Sequence, residues 1–198
     1  MLNSDILIKL VIFQIRENQL SVLLQEGHVP HNPLVTNMSL DAIAKDLFTI
    51  CTGLPMGDNY IEQLYTFSAQ KEVSIGYFVL LAEKDIVLPE GFSWENASNI
   101  SAQTADGDII GYARKRLAWK VEYTNVVYSL LPKTFTLRQL QEVYETILGH
   151  KVDKRNFRKK IMSLKFIEPT GEKHIAHARP AQLYRFISRK PTIVKVFS

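Results

Sequence analysis

Residues 130–161, LLPKTFTLRQLQEVYETILGHKVDKRNFRKKI, carry the start and stop signals of two consecutive helices. Thr136 and Gln139 have the spacing of a capping box, and Gly149 is a typical C-cap residue for the helix between them. Asp153 is a good N-cap for a second helix that follows after a short turn. Two short helices joined in this way are typical of a helix-turn-helix motif.

The second helix, expected at residues 154–164, has different chemistry on its two sides. At about 100° per residue, Phe157 and Ile161 share one face. Arg155 and Lys159 point to the opposite side. In a major groove, arginine can bind guanine and lysine can meet phosphate. The pattern favours a DNA-recognition helix, and a solvated charged face on an ordinary helical bundle is the alternative.

After this helix the apolar pattern changes to period two, which predicts strands at residues 166–168 and 182–187. The basic segment between them, GEKHIAHARP at residues 171–180, is a candidate wing. A wing supplies phosphate contacts that position a protein on DNA without specifying sequence. His174 and His177 have the spacing of metal ligands, but no Cys or carboxylate completes the set. We therefore expect no metal site.

The charge of the chain is divided between its halves. Residues 1–107 contain 5 Lys and Arg against 13 Asp and Glu, whereas residues 108–198 contain 19 against 7, so the net charges are −8 and +12. A basic block of this size is typical of a nucleic-acid-binding domain. We predict a first domain at residues 1–107, a linking or dimerisation helix at 108–131 and a winged-helix domain at 132–198.

Two further features of composition limit the function classes. Cys51 is the single cysteine, which excludes an internal disulfide and any cysteine-based zinc cage. The apolar run at residues 6–15 contains Lys9 and is too short to span a bilayer. The N-terminus also has no signal-peptide pattern. We expect a soluble cytoplasmic protein with no membrane partner.

The first half of the chain combines strands with one helix. Apolar, β-branched runs predict strands at residues 6–15, 20–25, 60–67 and 72–82. The segment SLDAIAKDLFTICTGL, residues 39–54, predicts a helix. Its expected apolar face consists of Leu40, Ile43, Ala44, Leu47, Ile50 and Cys51. Residues 83–107 are interpreted as a loop-rich connection in which Trp94 packs on the first domain, and residues 108–129 as a long helix.

Both halves resemble one family. The strand pattern, the helix ending in Thr52-Gly53-Leu54, and YIEQLYTF and EVSIGYFVLL look like the N-terminal domain of the Nudix-related transcriptional regulators (the NrtR-type family). Residues 130–161, followed by FIEPT and AQLYRF, closely resemble the C-terminal domain of the same family. The resemblance implies an α+β fold, in which a Nudix-like mixed α/β sandwich is followed by a winged helix-turn-helix domain.

The Nudix signature itself is missing. Nudix hydrolases hold Mg²⁺ with glutamates on this helix, because several carboxylates must bind the ion while it bridges a diphosphate. The alignment puts Leu47, Ile50 and Cys51 at the glutamate positions and Asp46 at the arginine position. We therefore expect no hydrolysis, no catalytic residues and no cofactor. Cys51 is interpreted as a core thiol rather than a nucleophile.

The resemblance implies a homodimeric bacterial repressor or activator that binds a double-stranded DNA operator and senses a nucleotide- or sugar-type effector. By resemblance, operator recognition falls on Lys154, Arg155, Asn156 and Arg158. Further DNA contacts are predicted at Thr136, Arg138, Lys159, Lys173, His174 and Arg179. Candidate effector-binding residues, in or beside the two central strands, are Gln63, Tyr65, Lys71 and Tyr77.

Two other functions remain compatible with the sequence. The first is an atypical Nudix hydrolase with an appended nucleic-acid-binding domain. The second is an RNA-binding or protein-interaction module built on the winged helix. Turnover of ADP-ribose or NADH with Mg²⁺ would identify the first, and equal binding to cognate duplex, scrambled duplex and structured RNA would identify the second.

Overall fold

The computed structural model describes residues 5–69, 72–84, 86–101, 104, 106–174 and 180–196. Its strands are β1 (Asp5–Arg16), β2 (Gln19–Gln25), β3 (His31–Pro33), β4 (Tyr60–Ala69), β5 (Glu72–Leu80), β6 (Phe92–Asn96), β7 (Phe135–Thr136), β8 (Ile167–His174) and β9 (Ala181–Phe186). Its helices are α1 (Leu40–Thr52), α2 (Gly107–Tyr123), α3 (Leu137–Leu148) and α4 (Lys154–Ser163), with a 3₁₀ helix at Val126–Leu130. None of the described helices is both long and apolar enough to cross a membrane.

The sheet of the first domain has the strand order β4-β5-β1-β2-β6, and β3 pairs with the first half of β1. Strands β1 and β5 are parallel, whereas β1 and β2 form the predicted hairpin. The hairpin turn places Glu17 and Asn18 at positive φ, which asparagine tolerates well. Strand β6 lies inside the segment interpreted as a loop-rich connection, and the sequence analysis did not predict it. Only five residues there alternate between half-buried and exposed side chains, which is a weak sequence signal, and the strand is stabilised by pairing with β2.

Helix α1 covers one face of this sheet. Its cap is as predicted, because the Ser39 hydroxyl accepts a hydrogen bond from the amide of Ala42 and Gly53 ends the helix at positive φ. The buried residues on this face include Ile8, Leu10, Ile12, Ile43, Ala44, Leu47, Phe48, Cys51 and Tyr77. Trp94 packs against the same cluster, as expected. Ile50 was predicted to lie on the apolar face, but it is 58% exposed, because it lies at the edge of the buried stripe.

Helix α2 covers the opposite face of the sheet and connects it to the winged-helix domain. The hydrophobic core on this side is continuous from the sheet through α2 and the 3₁₀ helix into α3 and α4. The predicted apolar positions of α2 are buried, including Ile110, Ala113 and Leu117. The prediction that this helix continues to residue 129 was wrong. Helix α2 ends at Tyr123, because Thr124 adopts an extended conformation, and a separate 3₁₀ helix follows. The two boundaries between the three predicted segments, at residues 107/108 and 131/132, stay a prediction.

The winged-helix domain begins with the predicted capping box. The Thr136 hydroxyl accepts a hydrogen bond from the amide of Gln139, while the Gln139 side chain accepts one from the amide of Thr136. Gly149 ends α3 at a φ of 75°, and Asp153 caps α4 as expected. Strands β7, β9 and β8 form a small sheet beside these helices. Its described residues give the helix-turn-helix a β-hairpin, β8–β9, in the position of a wing.

Candidate nucleic-acid interface and ligand pockets

Helix α4 is held by its apolar side. Phe157 and Ile161 are buried, and the Phe157 ring packs edge-to-face on Tyr144 of α3 at 5.3 Å between centroids. The cap carboxylate of Asp153 accepts a hydrogen bond of 2.8 Å from the amide of Asn156. These contacts fix both the start and the rotation of the helix, so its opposite side faces away from the protein.

Arg155 and Lys159 lie on that opposite side, and most of the predicted recognition residues of α4 are exposed. Lys154, Arg155, Asn156 and Lys159 are all exposed, and their side chains form no ion pair with the described part of the chain. Arg158 differs from them, since it is half-buried and its Nε lies buried without a hydrogen-bond partner among the described residues. The helix therefore presents unpaired cations and one amide group to solvent, which is the chemistry of a major-groove reader.

The remaining predicted DNA contacts are in different environments. Thr136 is buried and its hydroxyl is engaged in the capping box, so the structure gives it a folding role. Arg138 is exposed but bonded to Glu142 at 2.7 Å. Lys173 and His174 are exposed at the end of β8. Arg179 and His177 lie outside the described residues. DNA contacts by any of these side chains stay predictions.

The turn between α3 and α4 is fixed by a carboxylate that sequence reasoning missed. Glu145 accepts hydrogen bonds from Lys151 Nζ at 2.7 Å, Gln141 Nε2 at 2.9 Å and the amide of Val152 at 3.2 Å. The hydrogen bond from Lys151 lowers the pKa of Glu145. A carboxylate in the last turn of a helix interacts unfavourably with the helix dipole unless it has a partner. The position of Glu145 near the end of the predicted helix could therefore have indicated a local hydrogen-bonding partner.

Two of the three residues that the sequence alignment predicts at the Nudix glutamate positions lie in the interior. Leu47 and Cys51 are buried in the core beneath α1, and burial raises the pKa of the Cys51 thiol to about 12, as expected of a core thiol. Asp46 and Ile50 are exposed. Across the described residues, no three His, Cys, Asp or Glu side chains come together in a way that could hold a metal ion.

The four candidate effector residues do not form one site. The Tyr77 hydroxyl donates to Asp41 Oδ1 at 2.7 Å and lies 3.3 Å from Gln63 Oε1, on the α1 face of the sheet. Tyr65 packs on the opposite face, 5.8 Å from the ring of Tyr112 on α2. The β4–β5 register shifts between Gln63 and Thr66, which separates residues that simple alternation would place together. Lys71 lies outside the described residues.

A cavity of about 390 Å³, named here the Tyr65 pocket, opens between β4, β5 and the start of α2. Tyr65 and Phe67 supply an aromatic wall, with their rings 5.7 Å apart. The other side is polar. The remaining lining residues, of which only Ile109 is apolar, are Lys9, Thr66, Ser68, Glu72, Ser74, Asp108 and Ile109. An aromatic wall facing a few polar groups is typical of a small-molecule site.

Lys9 and Glu72 of this lining belong to a group of side chains named here the Lys9 cluster, in which Lys9 and Asp106 are buried, Glu72 is partly exposed and His28 is exposed. Lys9 Nζ is 2.9 Å from Glu72 Oε1 and 3.1 Å from Asp106 Oδ1, and His28 Nδ1 is 3.2 Å from Asp106 Oδ2. Burial disfavours the Lys9 ammonium, but hydrogen bonds with Glu72 and Asp106 outweigh it and raise the pKa of Lys9. The sequence analysis did not predict this cluster, because its members are far apart in the chain and come together only in the folded sheet.

A second cavity, named here the interdomain groove, has a volume of about 820 Å³ and separates α2 from the second half of α3. Arg114 and Lys115 lie on the α2 side, and Glu142 and Glu145 on the α3 side. Its described lining residues include no Phe, Tyr or Trp, unlike those of the Tyr65 pocket.

Comparison with known proteins agrees with this architecture. A family model described as the NrtR DNA-binding winged helix domain matches residues 127–186. The chain is 31% identical to the ADPR responsive transcriptional repressor NtrR of Acinetobacter baylyi, over 90% of this chain and 80% of that protein.

Solved structures give the same result for the fold. The chain superimposes on Shewanella oneidensis NrtR complexed with a 27mer DNA with a TM-score of 0.81 and 25% identity, covering 91% of this chain and 93% of that one. A MutT/nudix family protein from Enterococcus faecalis has a TM-score of 0.69 at 21% identity, covering 92% and 86%, and shows the fold alone. With a Nudix-like first domain and a winged-helix DNA-binding domain, this chain belongs to the NrtR family of Nudix-related transcriptional regulators.

Proposed function

We propose that this protein binds a double-stranded DNA operator as a homodimer, with the outward face of α4 in the major groove. The observation that carries the proposal is the exposed, unpaired set of Lys154, Arg155, Asn156 and Lys159 on a helix whose other side is locked into the core. Cations without protein partners lose little when they bind phosphate or guanine and release condensed counterions. Two copies would read half-sites one helical turn, or a multiple of it, apart.

A small molecule of the ADP-ribose class, bound in the first domain, controls this DNA binding. The relative from Acinetobacter baylyi is named as responsive to ADPR, which supports an effector of that class. The Tyr65 pocket is the candidate site, because its aromatic wall can stack with an adenine ring. The interdomain groove is larger, but its described lining has no such wall.

The charges of the Tyr65 pocket favour one end of such an effector. Glu72 and Asp108 outnumber Lys9 in its lining. Two carboxylates beside one ammonium accept hydrogen bonds from sugar hydroxyls or base amino groups and disfavour a phosphate. We therefore orient the ligand with its nucleoside part in the pocket and its diphosphate toward solvent.

The protein binds its effector without hydrolysing it. Leu47, Ile50 and Cys51 offer no oxygen ligands at the positions where Nudix hydrolases hold Mg²⁺, and hard cations of this kind require oxygen donors. Incubation with Mg²⁺ and ADP-ribose, followed by chromatography of the nucleotides, should show no turnover above background. Turnover would identify the protein as an atypical hydrolase.

Selection from a random DNA duplex library tests operator binding. The full-length protein should enrich a pseudo-palindromic sequence. It should then bind that duplex at least about 10³-fold more tightly than a scrambled duplex, as specific DNA-binding proteins do. Equal affinity for the enriched duplex, the scrambled duplex and a structured RNA would contradict the proposal.

Titration with ADP-ribose tests effector control. The melting temperature should rise with ligand concentration, and the affinity for the selected duplex should change. Tyr65→Leu and Asp108→Asn should weaken this response. Asp46→Asn, a matched charge removal on the exposed face of α1, should leave it intact. A response that Asp46→Asn abolishes and Tyr65→Leu retains would move the effector site to the α1 face.

A further inference from the structure

The segment at residues 187–196, named here the strap, follows the last strand of the winged-helix domain and returns to the end of α2. The amides of Val194 and Val196 donate to the carbonyls of Tyr123 and Glu122, both at 2.8 Å. Val196 is buried in the continuous core. The strap therefore ties β9 directly to the helix that covers the sheet of the first domain. It lies beyond the residues that the family model matches.

Asn125, which lies between α2 and the 3₁₀ helix, forms three hydrogen bonds with the strap. Its amide donates to the Thr192 carbonyl at 3.2 Å and its side-chain Nδ2 to the Lys190 carbonyl at 3.1 Å. Its Oδ1 accepts from the Thr192 amide at 2.7 Å. Asn125 is buried, so these bonds are shielded from competing water. A side-chain amide can replace a peptide group in this way because it offers both a donor and an acceptor.

Arg189 makes the second attachment, from the strap to the 3₁₀ helix. Its Nη2 donates to the carbonyls of Tyr128 at 2.6 Å and Leu131 at 3.2 Å. Its guanidinium also lies over the Tyr128 ring, 5.6 Å from the centroid. The last carbonyls of a helix attract a cation, and arginine can bind two of them while it stacks on an aromatic ring.

The 3₁₀ helix is itself fixed to the sheet of the first domain. The Ser129 hydroxyl donates to the Leu80 carbonyl at 2.7 Å and accepts a hydrogen bond of 2.8 Å from the amide of Tyr60. Ser129 is buried, and these bonds join it to β5 and β4, which carry the Tyr65 pocket. A continuous set of contacts therefore runs from that sheet through Ser129 and Arg189 to β9.

Away from the strap, an open groove lies between the two domains. The interdomain groove separates the middle of α2 from the second half of α3. The hairpin turn of the first domain touches α3 through a long hydrogen bond, in which the Thr146 hydroxyl donates to the Asn18 carbonyl at 3.3 Å. An attachment at one end and an open groove along the other side are the geometry of a pivot.

We propose that the strap sets the orientation of the winged-helix domain relative to the first domain, with Asn125 and Arg189 as its positioning residues. Neither residue has to touch DNA or effector. Each acts by holding β9 and its wing against the 3₁₀ helix that is bonded to the sheet of the effector pocket. On the proposed function, loosening the strap uncouples effector binding from DNA binding and leaves each binding event intact.

Distance measurement between two spin labels tests the orientation directly, in the full-length protein and without any effector. Lys45→Cys on α1 and Ser163→Cys on α4 are exposed labelling positions, and the native Cys51 is buried and does not compete. Labelled protein is diluted with unlabelled protein, so that the distance within one chain is read. Asn125→Ala and Arg189→Gln are compared with Lys190→Gln, which removes the neighbouring positive charge from an exposed side chain.

The original chain and Lys190→Gln should give one narrow distance distribution, and Asn125→Ala and Arg189→Gln should broaden or shift it. Arg189→Gln is the milder change, so it remains informative if Asn125→Ala lowers the melting temperature below the measuring temperature. A narrow, unshifted distribution in folded Arg189→Gln and Asn125→Ala would overturn the proposal.

The factor by which ADP-ribose changes the affinity for DNA gives a second readout, and a loss of folding stability alone would leave that factor unchanged. Coupling factors are about 5- to 150-fold in allosteric proteins, and the factor by which ADP-ribose changes DNA affinity should fall toward 1 in Arg189→Gln. The affinity for each ligand alone should stay near that of Lys190→Gln. A chain that shows no ADP-ribose effect before mutation would contradict the proposed effector, while the distance measurement would still decide the role of the strap.

Discussion

The sheet of the first domain and helix α4 of the winged-helix domain place their charges in opposite ways. In the first domain, Lys9 and Asp106 are buried and bonded to each other. Glu62 is partly buried and pairs with Arg116 Nε and Lys120 Nζ, both at 3.0 Å. Burial alone would raise the pKa of Glu62, but hydrogen bonds from Tyr60, Arg116 and Lys120 lower it. Charges of this kind are structural, because their partners lie inside the protein.

In the winged-helix domain, α4 keeps its charges outside. Arg155 and Lys159 are exposed and form no ion pair within the described chain. An exposed cation contributes little to folding. The comparison shows that paired, buried charges such as Lys9 and Asp106 hold the fold, whereas exposed, unpaired cations such as those of α4 are available to a polyanion. Changing one charge at a time should therefore affect stability in the first case and DNA binding in the second.

Cys51→Glu should have the largest effect, because it forces a carboxylate into the closed core beneath α1. Burial raises carboxyl pKa values by about 3 units or more in such sites, which corresponds to about 4 kcal/mol of lost stability at neutral pH. Urea unfolding at pH 7 measures the loss, which should shrink as falling pH protonates the new carboxyl.

Ile50→Glu is the matched control, since it adds the same carboxylate at another Nudix glutamate position that is 58% exposed. Its effect should stay within about 0.5 kcal/mol. Equal losses for the two variants would mean that α1 does not bury the Cys51 position as the structure shows.

Lys9→Met should cost about 3 kcal/mol at pH 7, because it leaves the carboxylates of Glu72 and Asp106 without their cation. The hydrogen bonds of Ser74 and Lys9 lower the pKa of Glu72. For Asp106, burial is outweighed by the amide of Val29 and by Lys9, so its pKa is also lowered.

The pH dependence of this loss follows from those directions. Carboxyls with a depressed folded-state pKa contribute stability above their unfolded values of about 4, and this contribution disappears as pH falls through the folded-state values. The difference between Lys9→Met and the original chain should therefore be complete at pH 7 and decrease below about pH 4. Lys45→Met, which removes an exposed cation from α1, is the control and should be neutral in urea unfolding.

The contrast between the domains also explains what the sequence could predict. In the winged-helix domain the decisive signals are local. The capping box of Thr136 and Gln139, Gly149 at positive φ and the Asp153 cap all lie within a few residues of the helix ends that they define. The buried and exposed sides of α4 then follow from helical periodicity alone.

The pocket of the first domain depends on contacts that no local pattern encodes. Parallel pairing of β1 with β5 brings Lys9 close to Glu72, and the chain returns at Asp106 after 97 residues. The register shift after Gln63 turns Tyr65 to the opposite face of the sheet. Candidates chosen from strand position alone were therefore divided between the two faces.

Arg155→Ala should leave stability almost unchanged and weaken binding to the selected operator by about 1–3 kcal/mol, with relaxed preference at the base pair that it reads. The arginine is exposed and forms no ion pair within the described chain, so the folded state loses little when it is removed. Fluorescence anisotropy with the operator and its single-base variants measures the effect. A uniform loss on cognate and random duplex would reassign Arg155 to the phosphate backbone.

Lys159→Ala should have the smallest effect, and it separates positioning from reading on the same helix. Lys159 is exposed one turn after Arg155, and we predict that its ammonium contacts a phosphate rather than a base. Losing one phosphate contact should lower affinity for every sequence alike and reduce the slope of log affinity against log salt by about 1. Titrations at several salt concentrations measure this slope. If Lys159→Ala instead changes the preferred bases and leaves the slope intact, α4 lies in the groove with a different rotation, and the division of tasks between Arg155 and Lys159 must be reversed.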